Sequence, residues 1–100
     1  MRTLNGLTKE EQIQALLQES QQAYDRGEEP CNDYFKNGRS YVGVIKKNEI
    51  IKDFIKLGAD DSTVAYLTDS VDFDKEYAKD KRMFIEEWTE RINYWNESGV

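Results

Sequence analysis

The sequence predicts one small acidic α+β domain spanning residues 1–100. We expect a helix, a β-hairpin, a second helix, a short third strand and a long C-terminal helix packed on a small antiparallel sheet. Three observations support this prediction: apolar residues recur at helical spacing in three stretches, an Asn-Gly pair separates two short β-prone runs, and 100 residues is an ordinary size for one domain. A hydrophobic content of 38% with 12% aromatic residues is sufficient for a core.

The first helix is predicted to begin at Thr8. Thr8 and Glu11 have the spacing of a capping box, in which each side chain accepts a hydrogen bond from a backbone N–H group at the helix start. Gly27 is expected to end the helix. Between them, helical spacing relates Ile13, Leu16, Leu17, Ser20 and Tyr24.

A β-hairpin is predicted on the two sides of Asn37-Gly38, because this dipeptide favours the two-residue turn that joins antiparallel strands. The run 33–36 precedes the turn, and a run rich in aromatic and β-branched residues follows it over 39–45. Gly43 lies in the second run, where a glycine indicates a bulge or a close approach of backbone.

A second helix is predicted from Asn48, which would be its N-cap, to Gly58. Its apolar face would consist of Ile50, Ile51, Phe54 and Ile55.

Residues 60–71 fit two patterns. The composition of 63–68 is that of a short strand, whereas Val64, Leu67 and Val71 also lie at helical spacing. We predict a strand here, and an all-α fold is the alternative if the stretch is helical.

The longest helical pattern runs from Asp74 to about Asn96 and predicts the helix that organises the core. Its apolar face would consist of Tyr77, Phe84, Trp88, Ile92 and Trp95.

The residue types present argue against catalysis. The chain has no histidine, which is the usual general base near neutral pH and the commonest metal ligand. Cys31 is the single cysteine, so the chain can form neither an internal disulfide nor a cysteine zinc site. Residues 72–76 imitate the first ligands of a calcium loop, but Tyr77 and Met83 occupy the positions that require glycine and glutamate. We therefore expect no enzymatic activity, no catalytic residue, no metal site and no cofactor.

The sequence also bears on the compartment. Residues 1–12 lack the apolar run of a signal peptide, and no run of 18 apolar residues occurs. A lone cysteine fits a reducing compartment. We expect a cytoplasmic protein that does not contact a membrane.

Residues 57–67 resemble the turn and second helix of the helix-turn-helix family, in which a Leu-Gly pair precedes a Ser-Thr-Val run. That resemblance implies DNA binding, which requires cations to contact phosphates. The segment instead carries Asp60 and Asp61, with Asp69 just beyond it and no Lys or Arg, and Phe54 stands where the family usually has a small residue. We expect no direct contact with nucleic acid through this segment.

Charge is segregated along the chain. Residues 36–56 carry six cations and two carboxylates, a balance of +4, whereas the whole chain has a net charge of −6. Tyr34, Phe35 and Tyr41 interleave with the cations, which is the composition of a platform for single-stranded nucleic acid. A small nucleic-acid-binding module is therefore the alternative function. The interpretation we favour is that this segment packs beside its acidic flanks, because the overall charge repels polyanions.

The main functional prediction concerns the C-terminal helix. Carboxylates and one tyrosine fall near a single stripe, which we predict to bind a partner: Glu76, Asp80, Glu87, Glu90, Tyr94 and Glu97. Such a row can imitate phosphates and occupy the basic groove of a protein partner. The composition is similar to that of small acidic phage proteins that inhibit restriction or CRISPR nucleases. The sequence thus predicts a non-enzymatic protein-binding regulator, encoded by a phage or mobile element, that inhibits a nucleic-acid enzyme.

Overall fold

The computed structural model describes residues 7–30 and 32–97. The α+β prediction is confirmed for these residues, which form helices and a two-stranded antiparallel sheet. The elements in chain order are α1 (Lys9–Asp25), β1 (Asp33–Lys36), β2 (Arg39–Val42), α2 (Val44–Leu57), α3 (Asp61–Asp69) and α4 (Lys81–Glu97). Within the described residues, no helix combines the length and the apolar character that crossing a membrane requires.

Helix α2 is the centre of the core. It contributes five buried apolar side chains, and α1, α3 and α4 all contact it. The other elements supply the remaining apolar side chains of one continuous cluster, and α1 packs against it through the partly buried Ile13 and Leu16. The members of the cluster are Ile50, Ile51, Phe54 and Ile55 from α2, Ala59 from the loop after α2, Val64 and Leu67 from α3, Phe73 and Tyr77 from the following link, and Phe84, Trp88 and Ile92 from α4.

Helix α1 begins at the predicted capping box. The Thr8 N–H donates to Glu11 Oε1 at 3.0 Å, and the Glu11 N–H donates to Thr8 Oγ1 at 3.2 Å. The helix packs on α2 partly through a polar contact, in which Asn48 Nδ2 donates to Glu19 Oε1 at 2.8 Å. Asn48 is therefore a buried link between α1 and α2, and the prediction that it caps α2 is wrong.

Helix α2 begins earlier than predicted because its cap comes from a residue distant in sequence. Gly43 is the N-cap residue, and it has no side chain to bond to the first turn. Asn32 Oδ1 instead accepts the Lys46 N–H at 2.9 Å, and the Asn32 carbonyl accepts the Gly43 N–H at 3.0 Å. A Cβ atom at Gly43 would overlap the Asn32 side chain, so a close approach does require a glycine here, although the approaching group is a side chain instead of the predicted backbone.

The hairpin forms where the Asn-Gly pair predicts it. Asn37 and Gly38 have φ values of 53° and 76°, and a two-residue turn with both residues at positive φ matches the twist of the strands. Lys36 pairs with Arg39 next to the turn, and Asp33 pairs with Val42 at the far end. The second strand ends at Val42 instead of residue 45, because α2 begins at Val44.

The predicted third strand is wrong, since residues 61–69 form α3. Asp60 decides the conformation locally, because its carboxylate accepts the Thr63 N–H at 2.8 Å and caps the helix. The helical spacing of Val64 and Leu67 then places both side chains in the core. The all-α alternative is also wrong, because the hairpin is present.

The long C-terminal helix begins at Lys81, later than the predicted Asp74. The Asp74 carboxylate accepts the Val42 N–H at 2.7 Å, which attaches the preceding link to β2. Residues 73–79 form turns that still bury Phe73 and Tyr77. Helix α4 packs on α2, where the Phe84 and Phe54 rings are 6.4 Å apart, and its first residue reaches the sheet through an ion pair between Lys81 and Asp33.

Replacing Trp88 with alanine tests the packing of α4. The Trp88 side chain is 5% exposed and lies against Phe84 and Tyr66, with ring centroids 6.4 and 5.8 Å away. We expect Trp88→Ala to lower the free energy of unfolding by about 3–5 kcal/mol, because truncation leaves a cavity. Chemical denaturation measures the loss, with the exposed Tyr94→Ala as control. A loss below about 1 kcal/mol for Trp88→Ala would contradict this packing.

A substitution at Asn32 tests the cap of α2. Replacing Asn32 with alanine leaves the Lys46 N–H without its acceptor, so we expect a loss of about 1–3 kcal/mol in the free energy of unfolding. The matched control is Asn93→Ala on the exposed side of α4, which should change it by less than about 0.5 kcal/mol. Equal stabilities for the two variants would show that α2 does not depend on Asn32.

Candidate protein-binding surface

One exposed stripe runs along the side of α4 that faces away from α2. We call it the α4 acidic face and define it by five residues at alternating spacings of four and three, which places them on one side of a helix: Met83, Glu87, Glu90, Tyr94 and Glu97. Met83 is 63% exposed and Tyr94 is 69% exposed, although both are large apolar side chains. The buried residues of α4 lie on its other side.

The structure brings together four of the six residues predicted to bind a partner. Glu87, Glu90, Tyr94 and Glu97 share the α4 acidic face. The other two, Glu76 and Asp80, precede the helix, so their helical spacing to the rest of the row does not apply.

Asp80 has a structural role at the start of α4. Its carboxylate Oδ1 accepts the Met83 N–H at 3.1 Å, and its carbonyl accepts the Phe84 N–H at 3.1 Å. A carboxylate at this position also interacts favourably with the positive end of the helix dipole. The predicted partner-binding row is therefore shorter than the sequence pattern indicated.

Two ion pairs form within α4, and one of them, to Glu87, reduces the charge of the stripe. Arg82 Nε lies 3.0 Å from Glu86 Oε1, and an Arg91 nitrogen lies 2.7 Å from Glu87 Oε1. Across residues 7–30 and 32–97, Glu90 and Glu97 form no ion pair. These two carboxylates, about 10 Å apart along the helix axis, are the ones available to a partner.

The charge density of α4 differs greatly from that of a nucleic-acid duplex. The helix carries four carboxylates and three cations over 17 residues, or about 25 Å. A duplex of that length carries about 15 phosphate charges. Seven further carboxylates and two lysines lie in residues 57–80, so most of the negative charge of the C-terminal half precedes α4.

Glu87 is coupled to the core through Arg91. The Arg91 guanidinium lies over the Trp88 ring, 4.7 Å from its centroid, while it pairs with Glu87. Reversing the charge of Glu87 would therefore disturb Arg91 and Trp88 as well as the surface. Changes at Glu90 and Glu97 alter the charge of the α4 acidic face without this disturbance.

The cations of the basic segment do not form one surface patch. Lys36 and Arg39 lie at the hairpin turn, whereas Lys47 Nζ donates to the Thr68 carbonyl at 3.0 Å and joins α2 to α3. The remaining three, Lys46, Lys52 and Lys56, lie on α2.

The hairpin itself exposes aromatic rings. Phe35 is 71% exposed and Tyr34 is 52% exposed. Tyr34 stacks on Tyr41 with 5.2 Å between ring centroids, and the Arg39 guanidinium lies 5.8 Å from the Tyr41 ring centroid. This is the part of the basic segment whose geometry most resembles an aromatic and cationic platform.

The hairpin is attached to the start of α4 by the Lys81–Asp33 ion pair. The hydrogen bond to Asp33 raises the pKa of Lys81 above its usual value. Both side chains are partly exposed, so this contact positions the hairpin and contributes little stability.

Within residues 7–30 and 32–97, no three side chains of the metal-binding types His, Cys, Asp and Glu are grouped so that they could hold a metal ion. Cys31 lies outside the described residues.

Comparison with protein-family models, with curated proteins and with solved structures finds no match to this chain. The functional argument therefore depends on the chemistry of these surfaces.

Met83 is the residue that the sequence-based prediction missed. It lies on the same stripe as the predicted carboxylates and is exposed. Its spacing of four from Glu87 was the available signal. Exposure could not be inferred, because methionine is usually buried.

Proposed function

We propose that this protein is a non-enzymatic regulator that binds a basic surface of another protein through the α4 acidic face. The observation that supports this most is the alternation along one exposed stripe of two large apolar side chains, Met83 and Tyr94, with the carboxylates Glu90 and Glu97. Aromatic residues and methionine are enriched at protein interfaces. Exposed carboxylates fix the orientation of a partner that carries cations.

The two kinds of side chain have different roles in this proposal. Met83 and Tyr94 supply the buried apolar contact and most of the affinity. The carboxylates, together with the acidic residues that precede α4, attract a basic partner and increase the association rate. Because α4 has far fewer charges than a duplex, we assign it a mixed apolar and acidic contact in place of a close imitation of a phosphate backbone.

The partner class follows from the charge of the stripe. Enzymes that act on nucleic acids have basic grooves because they bind phosphates. We therefore propose that the partner is such an enzyme, of the restriction or CRISPR kind, and that this chain is a phage- or mobile-element-encoded inhibitor that occupies part of its groove. The single cysteine is the reason for assigning the cytoplasm as the compartment.

Charge reversal on α4 tests the proposal. Immobilised wild-type protein and the Glu90→Lys, Glu97→Lys variant are each exposed to a bacterial lysate, and a protein retained only by the wild type is purified for kinetic measurement. We expect the double reversal to lower its association rate constant by about tenfold at physiological salt, because repulsion replaces attraction. Raising the salt concentration should slow association of the wild type, since the screening length is about 8 Å at 0.15 M.

The matched control carries the same change of net charge away from α4. Glu29→Lys with Asp53→Lys alters two exposed carboxylates on the loop after α1 and on α2. We expect it to retain the partner. Equal retention of the partner by all three proteins, with circular dichroism showing that each is folded, would remove the α4 acidic face from the interface.

The exposed aromatic rings of the hairpin support a second candidate function. Tyr34 and Phe35 beside Lys36 and Arg39 could stack bases and neutralise phosphates of a single strand. The two candidates differ in what the isolated protein binds.

Fluorescence anisotropy with a labelled single-stranded oligonucleotide separates them. We expect no binding at micromolar protein and physiological salt, because a net charge of −6 repels the phosphates. Binding that is abolished by Phe35→Ala with Arg39→Ala, and retained by Lys52→Ala with Lys56→Ala, would instead assign the function to the hairpin.

A further inference from the structure

The outer edge of β1 carries backbone groups without hydrogen-bond partners. The Gly43 N–H donates to the Asn32 carbonyl at 3.0 Å, and bonded and non-bonded pairs alternate along an antiparallel ladder. Counted along the register from this pair, the N–H and C=O groups of Asp33 and Phe35 point away from β2. In the part of the chain that the structure describes, these groups make no hydrogen bond. The outer edge of β1 is therefore open.

The outer edge of β2 is partly occupied. The Val42 N–H points away from β1 and donates to the Asp74 carboxylate at 2.7 Å, which places the link before α4 beside this strand. The hairpin thus has its open edge at β1, and an open strand edge is a template for pairing with another chain.

Two cations lie on one face of the hairpin beside the open edge. Residues paired across the two strands share a face, and Tyr34, Lys36, Arg39 and Tyr41 share this one, where the two tyrosine rings stack. Lys36 and Arg39 are exposed, and neither has a carboxylate partner among residues 7–30 and 32–97. This face therefore attracts carboxylates.

The opposite face carries an exposed ring and a small cleft. Phe35 is 71% exposed and lines a space of about 220 Å³ together with Asp33, Ala78 and Lys81. The space is below the roughly 300–1,000 Å³ of pockets for small ligands, so it suits one apolar side chain. Asp33 Oδ2 pairs with Lys81, whereas the buried Asp33 Oδ1 has no hydrogen-bond partner among the described residues. A buried acceptor without a partner is unfavourable, and an N–H group of a bound chain would satisfy it.

We propose that β1 binds an extended acidic segment of another protein, which adds to the sheet as an antiparallel third strand. Its backbone bonds to Asp33 and Phe35. Because side chains alternate along a strand, its carboxylates lie on the face of Lys36 and Arg39, and its apolar side chains lie on the face of Phe35. This site is on the hairpin and does not depend on the α4 acidic face.

A peptide matches this edge better than single-stranded DNA does. The phosphate backbone of DNA has acceptors but no donors, so it leaves the carbonyl groups of β1 unpaired. The net charge of −6 also repels a row of phosphates more strongly than it repels two carboxylates that contact Lys36 and Arg39.

The test titrates the full chain with three probes: a capped pentapeptide of alternating valine and glutamate with valine at both ends, the same peptide with lysine in place of glutamate, and oligothymidine. Amide NMR signals report binding. We expect the glutamate peptide to bind saturably and to move the amide protons of Asp33 and Phe35 downfield more than those of Tyr34 and Lys36, because only the first two gain acceptors. No binding of the glutamate peptide, equal affinities for the two peptides, binding of oligothymidine alone, or shifts confined to other elements would overturn the proposal.

A substitution at Phe35 separates the strand edge from the aromatic ring. Phe35→Pro removes an N–H group that points away from β2, so the ladder of the hairpin is kept. The matched control Phe35→Ala removes the ring and keeps the N–H group. We expect Phe35→Pro to bind the glutamate peptide about tenfold more weakly than Phe35→Ala does. Equal affinities with an intact hairpin would overturn the proposal.

Methylated peptides repeat this test on the unchanged protein. The valines face β1 in the proposed strand, so methylation of the backbone nitrogen of the central valine should abolish binding, whereas methylation at a glutamate nitrogen should not. Equal effects of the two methyl groups would contradict strand addition.

Charge variants test the class of partner. Lys36→Ala with Arg39→Ala should weaken binding of the glutamate peptide by about tenfold. The control Lys52→Ala with Lys56→Ala removes the same charge from α2 and should bind as the wild type does. An equal loss in both variants would show that the peptide responds to net charge alone and would overturn the proposal.

Discussion

The burial of α2 is the constraint on which the other elements depend. Its apolar residues face more than one neighbour, and Ile51 and Ile55 are each only 1% exposed. Burying side chains of this size contributes about 1.5–3 kcal/mol each, so α1, α3 and α4 are held mainly by covering α2. Since α4 covers α2 with one side, its other side is left in contact with solvent. The α4 acidic face is a consequence of this arrangement, which explains its exposure but not its two large apolar side chains.

Local patterns were sufficient for the elements whose signals are close together in sequence. The Thr8–Glu11 capping box and the Asn37-Gly38 turn both form where they were predicted, because each involves residues three or fewer positions apart. The apolar spacing in α2 and α4 also identified most of the core. Tyr77 belongs to the core as predicted, although it lies in the link before α4.

The errors arose where a contact between distant residues decides the conformation. Asn32 caps α2 across the hairpin, and Asp74 bonds to β2 in place of starting a helix. The choice at residues 61–69 was different, because a strand-like composition was preferred to helical spacing, and the Asp60 cap that decides for the helix was not used although it could be read in the sequence. Among the predicted site residues, Glu76 and Asp80 were wrongly placed on the C-terminal helix, because that helix was predicted to begin too early.

The charges on α4 indicate that its carboxylates have different roles. Exposed ion pairs within α4 neutralise Glu86 and Glu87, whereas Glu90 and Glu97 remain available on the stripe that carries Tyr94. A surface of this kind recognises both shape and charge, and its specificity comes from the few residues that a partner buries.

Carboxylate footprinting of the complex tests this account most directly. The free protein and its complex with the captured partner are labelled with a carbodiimide and an amine, and the extent of modification at each carboxylate is measured by mass spectrometry. The account predicts that modification of Glu90 and Glu97 falls in the complex while that of Glu29 and Asp53 does not change. Unchanged modification of Glu90 and Glu97, with protection elsewhere on the chain, would contradict the assignment of α4 as the binding surface.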